Sequence, residues 1–172
     1  MQVFTKVLIA NRGEIAIRIA RAAQALGIHS VSIYAKEDEL SLHTRHTDQR
    51  IQLDQNTDPV AAYLNIDNIM QIAMDNSCDA IHPGYGFLSE NAELASACEA
   101  AGIILVGPAA DTLKLFGNKV EARKLAASIG IPVVPGTAIA NPEQAKQFAD
   151  NNGFPVMVKA VAGGGGRGMR AV

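Results

Sequence analysis

Tryptophan is absent from this chain of 172 residues, and aromatic residues of all kinds make up only 5% of it. So little ring surface argues against a base-stacking platform for single-stranded nucleic acid. An excess of basic residues is missing too. The 15 Lys and Arg are set against 17 Asp and Glu, for a net charge of −2, so nucleic acid is not an implied partner. Cysteine is scarce: Cys78 and Cys98 fit no metal spacing and fall in expected helical or helix-end stretches. They read as reduced, small apolar side chains of a cytoplasmic protein. No run approaches the roughly 18 apolar residues of a membrane span, and the first ten residues read as a strand rather than a signal peptide, so no membrane is expected as a partner.

What is present is a 48% hydrophobic chain, enough to bury a real core, organised as alternating strands and helices. Val7-Leu-Ile-Ala10, Ser30-Val-Ser-Ile-Tyr34, Asp79-Ala-Ile-His82 and Ile103-Ile-Leu-Val106 are short apolar runs of the kind buried on both faces of a parallel sheet, and Ile51-Gln-Leu53 is a weaker candidate. Between them, Ile15, Ile19, Ala22 or Ala23 and Leu26 recur at helical spacing and close on Gly27, and Ile66, Ile69, Met70 and Ala73 mark a further helix. The pattern predicts a doubly wound α/β domain over residues 1–115 and a second unit over 116–172. A dinucleotide fingerprint needs three spaced glycines, and the turn at Asn11-Arg12-Gly13 has one, so that reading is rejected. Residues 35–57 are polar, and His43 and His46 are read as part of a solvated segment rather than as metal ligands, since no third ligand is near.

Three features carry chemistry. The first is Phe154-Pro-Val-Met-Val-Lys159, an apolar strand with one lysine, which runs into Gly163, Gly164, Gly165 and Gly166, then Arg167 and Gly168. Each glycine in a regular element costs roughly 0.5–1 kcal/mol relative to alanine, so such a run suits a loop whose backbone must approach a ligand. The flanking cations make phosphate the favoured ligand over a plain flexible linker. The second is Lys119 at the start of a helix, where Asn118 fits the cap and Glu121 the capping-box acid. A cation there is disfavoured by the helix dipole unless an anion joins it, bound by the ammonium and the free N–H groups; the alternative is a lysine pointing into water. The third is the loop His82-Pro-Gly-Tyr-Gly-Phe-Leu-Ser-Glu-Asn91, with Ser89 as the expected cap of the next helix. This loop and Asn11-Arg12-Gly13 both follow strands and so face the ligand crevice of an open α/β sheet, unless they are merely tight turns with their aromatics packed down.

Taken together, Ala10-Asn-Arg-Gly-Glu-Ile-Ala16, His82 through Asn91, Gly117-Asn-Lys-Val120 and Lys159 through Met169 resemble the biotin carboxylase family of ATP-grasp ligases, in order and along the whole chain. Lys36-Glu-Asp-Glu-Leu-Ser-Leu-His43 and Glu121-Ala-Arg-Lys-Leu-Ala126 look most like the biotin carboxylase domain of pyruvate carboxylases. The resemblance implies a Rossmann-like, pre-ATP-grasp domain over 1–115 and the beginning of an ATP-grasp domain over 116–172. It implies ATP-driven conversion of bicarbonate to carboxyphosphate and transfer of CO2 to biotin held on a carrier protein, with a carboxyltransferase as further partner. By the same resemblance Lys119 and Lys159 contact ATP phosphates, the loop Gly163 to Gly168 is a lid over them, and Tyr85 and Gly86 lie near biotin and bicarbonate. Arg18 and Arg21 match positions that contribute to a dimer contact in bacterial relatives, which implies a homo-oligomer, although the companion acidic position is Ala25 here. Asn118 also departs from the usual Asp. The Mg2+-binding glutamates, the bicarbonate-binding arginine and the base are expected downstream of Val172, so no catalytic or metal-binding residue is assigned within the chain, and the polypeptide alone is expected to be inactive. Alternatives are another ATP-grasp ligase, such as a carbamoyl-phosphate synthetase relative, and a non-catalytic assembly module.

Overall fold

The first apolar run becomes β1 (Lys6–Ile9), and its side chains alternate between two buried layers. Leu8 packs on one face with Val31, Ile33, Ile69, Ile81 and Leu94. Val7 and Ile9 turn to the other face, where they meet Ala23 and Ile28, and Ala16, Ile19 and Ala20. In the computed structural model, which describes residues 4–54, 58–159 and 168–172, the chain divides into two units, Met1–Lys114 and Leu115–Val172.

In the first unit, β1 is followed by α1 (Gly13–Ala25), β2 (His29–Tyr34), β3 (Gln49–Gln52), α2 (Pro59–Ala62), α3 (Ile66–Asp75), β4 (Ala80–His82), α4 (Ala92–Ala100), β5 (Ile104–Leu105) and α5 (Ala110–Gly117), the last crossing into the second unit. The sheet is parallel throughout, in the order β3-β2-β1-β4-β5. Because β1 pairs with both β2 and β4, the winding reverses between β1 and β4. This is the doubly wound α/β class that the alternation of elements predicts. α1 ends as expected at Gly27 (φ +68), where Gly27 N–H donates to Gln24 O and Ile28 N–H to Ala23 O, a Schellman closure.

Several expectations need correction. Leu26 is exposed at the end of α1, and the buried stripe of that helix is Ala16, Ile19, Ala20 and Ala23. β5 is an edge strand of two residues with Ile104 exposed, rather than a strand buried on both faces. The segment after β2 is not simply solvated. His43 and Thr44 are buried in a 3-10 turn over Leu42–Arg45, and His43 Nε2 lies 3.2 Å from Ile33 O. Both cysteines are buried and unpaired, and burial pushes the Cys98 thiol up to about 11. Among the described residues no helix is long and apolar enough to cross a membrane.

The second unit holds α6 (Lys119–Ser128), α7 (Pro142–Asn152) and an antiparallel pair, β6 (Met157–Lys159) with β7 (Met169–Ala171). Local signals shape it. Asn141 Oδ1 accepts from Gln144 N–H while Gln144 Oε1 accepts from Ala140 N–H, and Ala149 is the buried residue of α7. On α6, Ala122, Leu125 and Ala126 are half-buried, and Ile129 just past its end is exposed.

Two carboxylates stitch the amino edge of the sheet. Asp79 Oδ2 accepts from the Thr5 hydroxyl and amide and from Lys6 N–H, and Asp48 Oδ2 accepts from the Ser30 amide and hydroxyl. The Thr5 donors hold the Asp79 carboxyl below its ordinary pKa and the Ser30 donors do the same for Asp48, whereas burial lowers that of His43. Each of these groups binds protons more weakly folded than unfolded, so its stabilising contribution is complete above the unfolded value and is lost as pH falls through the folded one. Denaturant titrations are expected to show stability declining first below about 6.5, the unfolded histidine value, and again below about 4, the unfolded carboxylate value. His43→Gln is expected to flatten the first slope, and Asp79→Asn part of the second.

Candidate functional site

The switch point between β1 and β4 is where an open α/β sheet forms its ligand crevice, and the residues that line this edge are tied together across it. Ala10 N–H donates to His82 O at 2.9 Å, so β1 and β4 end side by side. Asn11, buried at 3% exposure, then sends Nδ2 across to Pro83 O at 2.7 Å and Tyr85 O at 2.8 Å, and its Oδ1 accepts from Arg12 N–H at 2.8 Å. Both amide protons are therefore used, and the stem of the loop after β4 is held through its backbone carbonyls at Pro83 and Tyr85.

That holding decides the loop's sequence. Gly84 (φ +66) passes so close to Asn11 that a Cβ there would lie 2.8 Å from Asn11 Nδ2. Gly86 also has φ +66, and Phe87 adopts φ +42, a conformation that L side chains rarely take. Between the two glycines the Tyr85 ring stands 62% exposed on a fixed stem. The Gly84 N–H donates to His82 Nδ1 at 3.0 Å, which leaves the proton of the neutral ring on Nε2, and burial lowers the pKa of this histidine. Ser89 does not cap the next helix as expected. Its N–H turns back to Gly86 O, and α4 is capped two residues later by Asn91 Oδ1, which accepts from Glu93 and Leu94 N–H.

Behind the loop stands a polar cluster. Arg12 Nη1 and the Tyr63 hydroxyl both donate to Asp38 Oδ2, at 3.0 and 2.9 Å, and Ser41 Oγ donates to Asp38 Oδ1. Burial of Asp38 works to raise its pKa, but the three donors outweigh it and hold the carboxyl below its ordinary range. Burial raises the Tyr63 phenol, and Asp38 as its acceptor adds to this. Asp38 and Tyr63 are not among the candidates that the sequence offers. Tyr63 follows the short helix α2, whose start is signalled by Asp58-Pro59: Asp58 Oδ1 accepts from Val60 and Ala61 N–H, and Pro59 occupies the first position. Asp38 carries no comparable local signal.

In the second unit, Lys119 is the first residue of α6 and is exposed. The anion expected at free N–H groups there meets a different arrangement, because Asn118 Oδ1 already accepts from Val120 and Glu121 N–H. Those two donors are thus already taken within the chain. Glu121 does not complete a capping box; its carboxylate accepts from Lys124 Nζ at 2.8 Å. Lys159 ends β6, exposed, and Gly168 (φ +71) stands in the turn before β7. Gly163, Gly164, Gly165, Gly166 and Arg167 lie outside the described residues. Among the described residues no group of three or more His, Cys, Asp or Glu is placed to hold a metal ion.

Comparison with known proteins first gives the class. Residues 118–172 match the carbamoyl-phosphate synthase L chain, ATP binding domain, so the unit after the switch-point domain is similar to an ATP-binding domain. The family follows from the rest: residues 3–113 match the biotin carboxylase N-terminal domain, and the chain belongs to that family. It is 50% identical over 173 residues to the pyruvate carboxylase of Bacillus subtilis, covering 99% of this chain and 15% of that protein. It is 48% identical over 169 residues to the mitochondrial pyruvate carboxylase of Homo sapiens, covering 97% of this chain and 14% of that protein. Among solved structures it resembles the biotin carboxylase domain dimer of Hydrogenobacter thermophilus 2-oxoglutarate carboxylase, in complex with MgADP, ADP and bicarbonate. That likeness has a TM-score of 0.93 at 42% identity and covers 99% of this chain and 38% of the other. The chain thus spans well under half the length of these relatives.

Asn11→Ala strips donors from two carbonyls and is expected to cost about 1–3 kcal/mol in urea denaturation. Gly84→Ala adds a Cβ at positive φ and is expected to cost at least about 1–2 kcal/mol. Removing the Asn11 amide also removes the shortest contact at 84, leaving Ile15 Cγ1 at 3.1 Å and the positive φ, so the double variant should lose less than the sum, and strict additivity would contradict the clasp.

Proposed function

We propose that the chain is the amino-terminal part of a biotin carboxylase domain of the pyruvate carboxylase type, which carboxylates carrier-held biotin with bicarbonate at the expense of ATP. The observation that carries this is the tandem match. Both units are covered, in order, by relatives at 48–50% identity that are pyruvate carboxylases. The same span disfavours a carbamoyl-phosphate synthetase relative despite the name of the second domain match, and an idle assembly module gains no support from any observed feature.

On this reading residues 1–115 form the pre-ATP-grasp domain and 116–172 begin the ATP-grasp domain. ATP supplies the phosphoryl group that activates bicarbonate. Lys119, at the positive end of α6, and Lys159, at the end of β6, supply positive charge to its phosphates. On sequence grounds the run Gly163 to Gly168 with Arg167 serves the same phosphates, its backbone N–H groups able to approach them closely. Mg2+ accompanies the nucleotide, with ligands outside the described residues. Tyr85 and Gly86 face the biotin and bicarbonate side of the crevice. The clasp from Asn11 supports this role, because a stem fixed before substrate arrives needs no reordering when it binds. The carrier and the carboxyltransferase are the further partners, and the setting is cytoplasmic. A homo-oligomer follows from the same reading, on which Arg18 and Arg21, both exposed on α1, contribute to the contact between copies.

The test is nucleotide affinity in the biotin carboxylase polypeptide that contains this chain. Lys119→Gln and Lys159→Gln are each expected to weaken MgADP binding on the order of tenfold by calorimetry, the loss of one charge-assisted phosphate contact. Unchanged affinity in both variants would remove the phosphate assignment.

A further inference from the structure

One cation touches three of the loops that leave the carboxyl edge of the sheet. Arg12 follows β1, and its Nη1 donates at 3.0 Å to Asp38 in the turn after β2. The carbon of its guanidinium lies 5.6 Å from the Tyr63 ring centre and 5.8 Å from that of Phe87 in the loop after β4. The two rings stack on each other, centres 5.1 Å apart and planes inclined by 24°. The Tyr63 hydroxyl closes the circuit by accepting from Ala35 N–H and donating to Asp38 Oδ2.

This cluster bears directly on the loop beside it. Phe87 sits at φ +42, and a bulky residue keeps such a conformation only where its surroundings over-determine it. The contacts of its ring with Tyr63 and Arg12 are those surroundings. The Arg12 side chain is 40% exposed, so its ion pair with Asp38 adds little to global stability, and its consequence is geometric. Phe87 adjoins Gly86, whose φ of +66 has no side chain to defend it. Were Phe87 to relax to negative φ, the path of the chain through Gly86 and Tyr85 would change with it.

We propose that Arg12 is a positioning residue: through its shared contacts with Asp38, Tyr63 and Phe87 it holds Phe87 in the left-handed region and so sets the direction in which Tyr85 and Gly86 are presented. That these two residues meet biotin or bicarbonate rests on the functional reading above. The position of the loop itself does not.

Two measurements keep these parts separate. In the 172-residue chain, amide hydrogen exchange is compared between the loop, at Ser89 and Asn91, whose N–H groups bond to Gly86 O and Leu88 O, and the core strands at Leu8 and Ile33. Arg12→Met is expected to speed loop exchange on the order of tenfold while core exchange holds, as for a local opening. Arg12→Lys, which keeps the charge opposite Asp38 and beside the rings, is expected to recover part of the protection. Unchanged loop exchange, or equal acceleration in loop and core, would overturn the proposal. In the biotin carboxylase polypeptide containing this chain, Arg12→Met is expected to raise the KM for free biotin several-fold and leave the KM for MgATP alone. An unchanged biotin KM beside a loosened loop would confirm Arg12 as the anchor and overturn instead the assignment of Tyr85 and Gly86 to biotin.

Discussion

The carboxamide of Asn11 sits where β1 gives way to α1, and both of its amide protons cross to the loop after β4. These strands are neighbours in the sheet but about seventy residues apart in sequence, so this contact fixes a non-local relationship that no local propensity could supply. Asn11 is buried, and a buried amide without partners is costly, so its three hydrogen bonds are enforced as a set. The close passage of Gly84 and the fixed backbone at Tyr85 follow from it.

The sheet beneath needs no such specific contact. It follows from short apolar runs separated by helices, and that pattern makes its class legible: Leu8 and Val7 serve opposite layers because a strand buried on both faces has no polar side. Helix ends are legible where one signal acts alone, as with the Asn118 cap and the glycine at 27. They are obscured where competing signals lie close together. Ser89 and Asn91 are both good caps, and Asn91 is used because the Ser89 amide is drawn back to Gly86 O. The edge strand at 104–105 escapes a reading of composition because an apolar run does not reveal how many neighbours a strand will have.

The crevice is legible only in part, for a related reason. Its tip, Tyr85 between two glycines, announces itself by composition. Its supports do not. Asp38 lies in a stretch that reads as solvated, and its role depends on Arg12, 26 residues before it, and Tyr63, 25 residues after. His43 shows the same limit, since a histidine among polar residues gives no hint that it fills the core below Ile33. In the second unit the balance is reversed. Caps and local pairs define α6 and α7, whereas β6 and β7 are exposed along their length, so less of that unit depends on distant contacts.

The lack of tryptophan has a consequence for observing the crevice. Ultraviolet emission from this chain comes from three tyrosines in three distinct settings. Tyr34 is buried near Arg50, Tyr63 is wholly buried with a carboxylate as its proton acceptor, and Tyr85 stands in solvent. A carboxylate that takes the phenolic hydrogen bond favours proton loss from the excited ring and dims it, whereas an exposed phenol emits freely. Tyr85 is therefore a native optical reporter of the loop after β4, without the stronger indole signal that would mask it in most proteins.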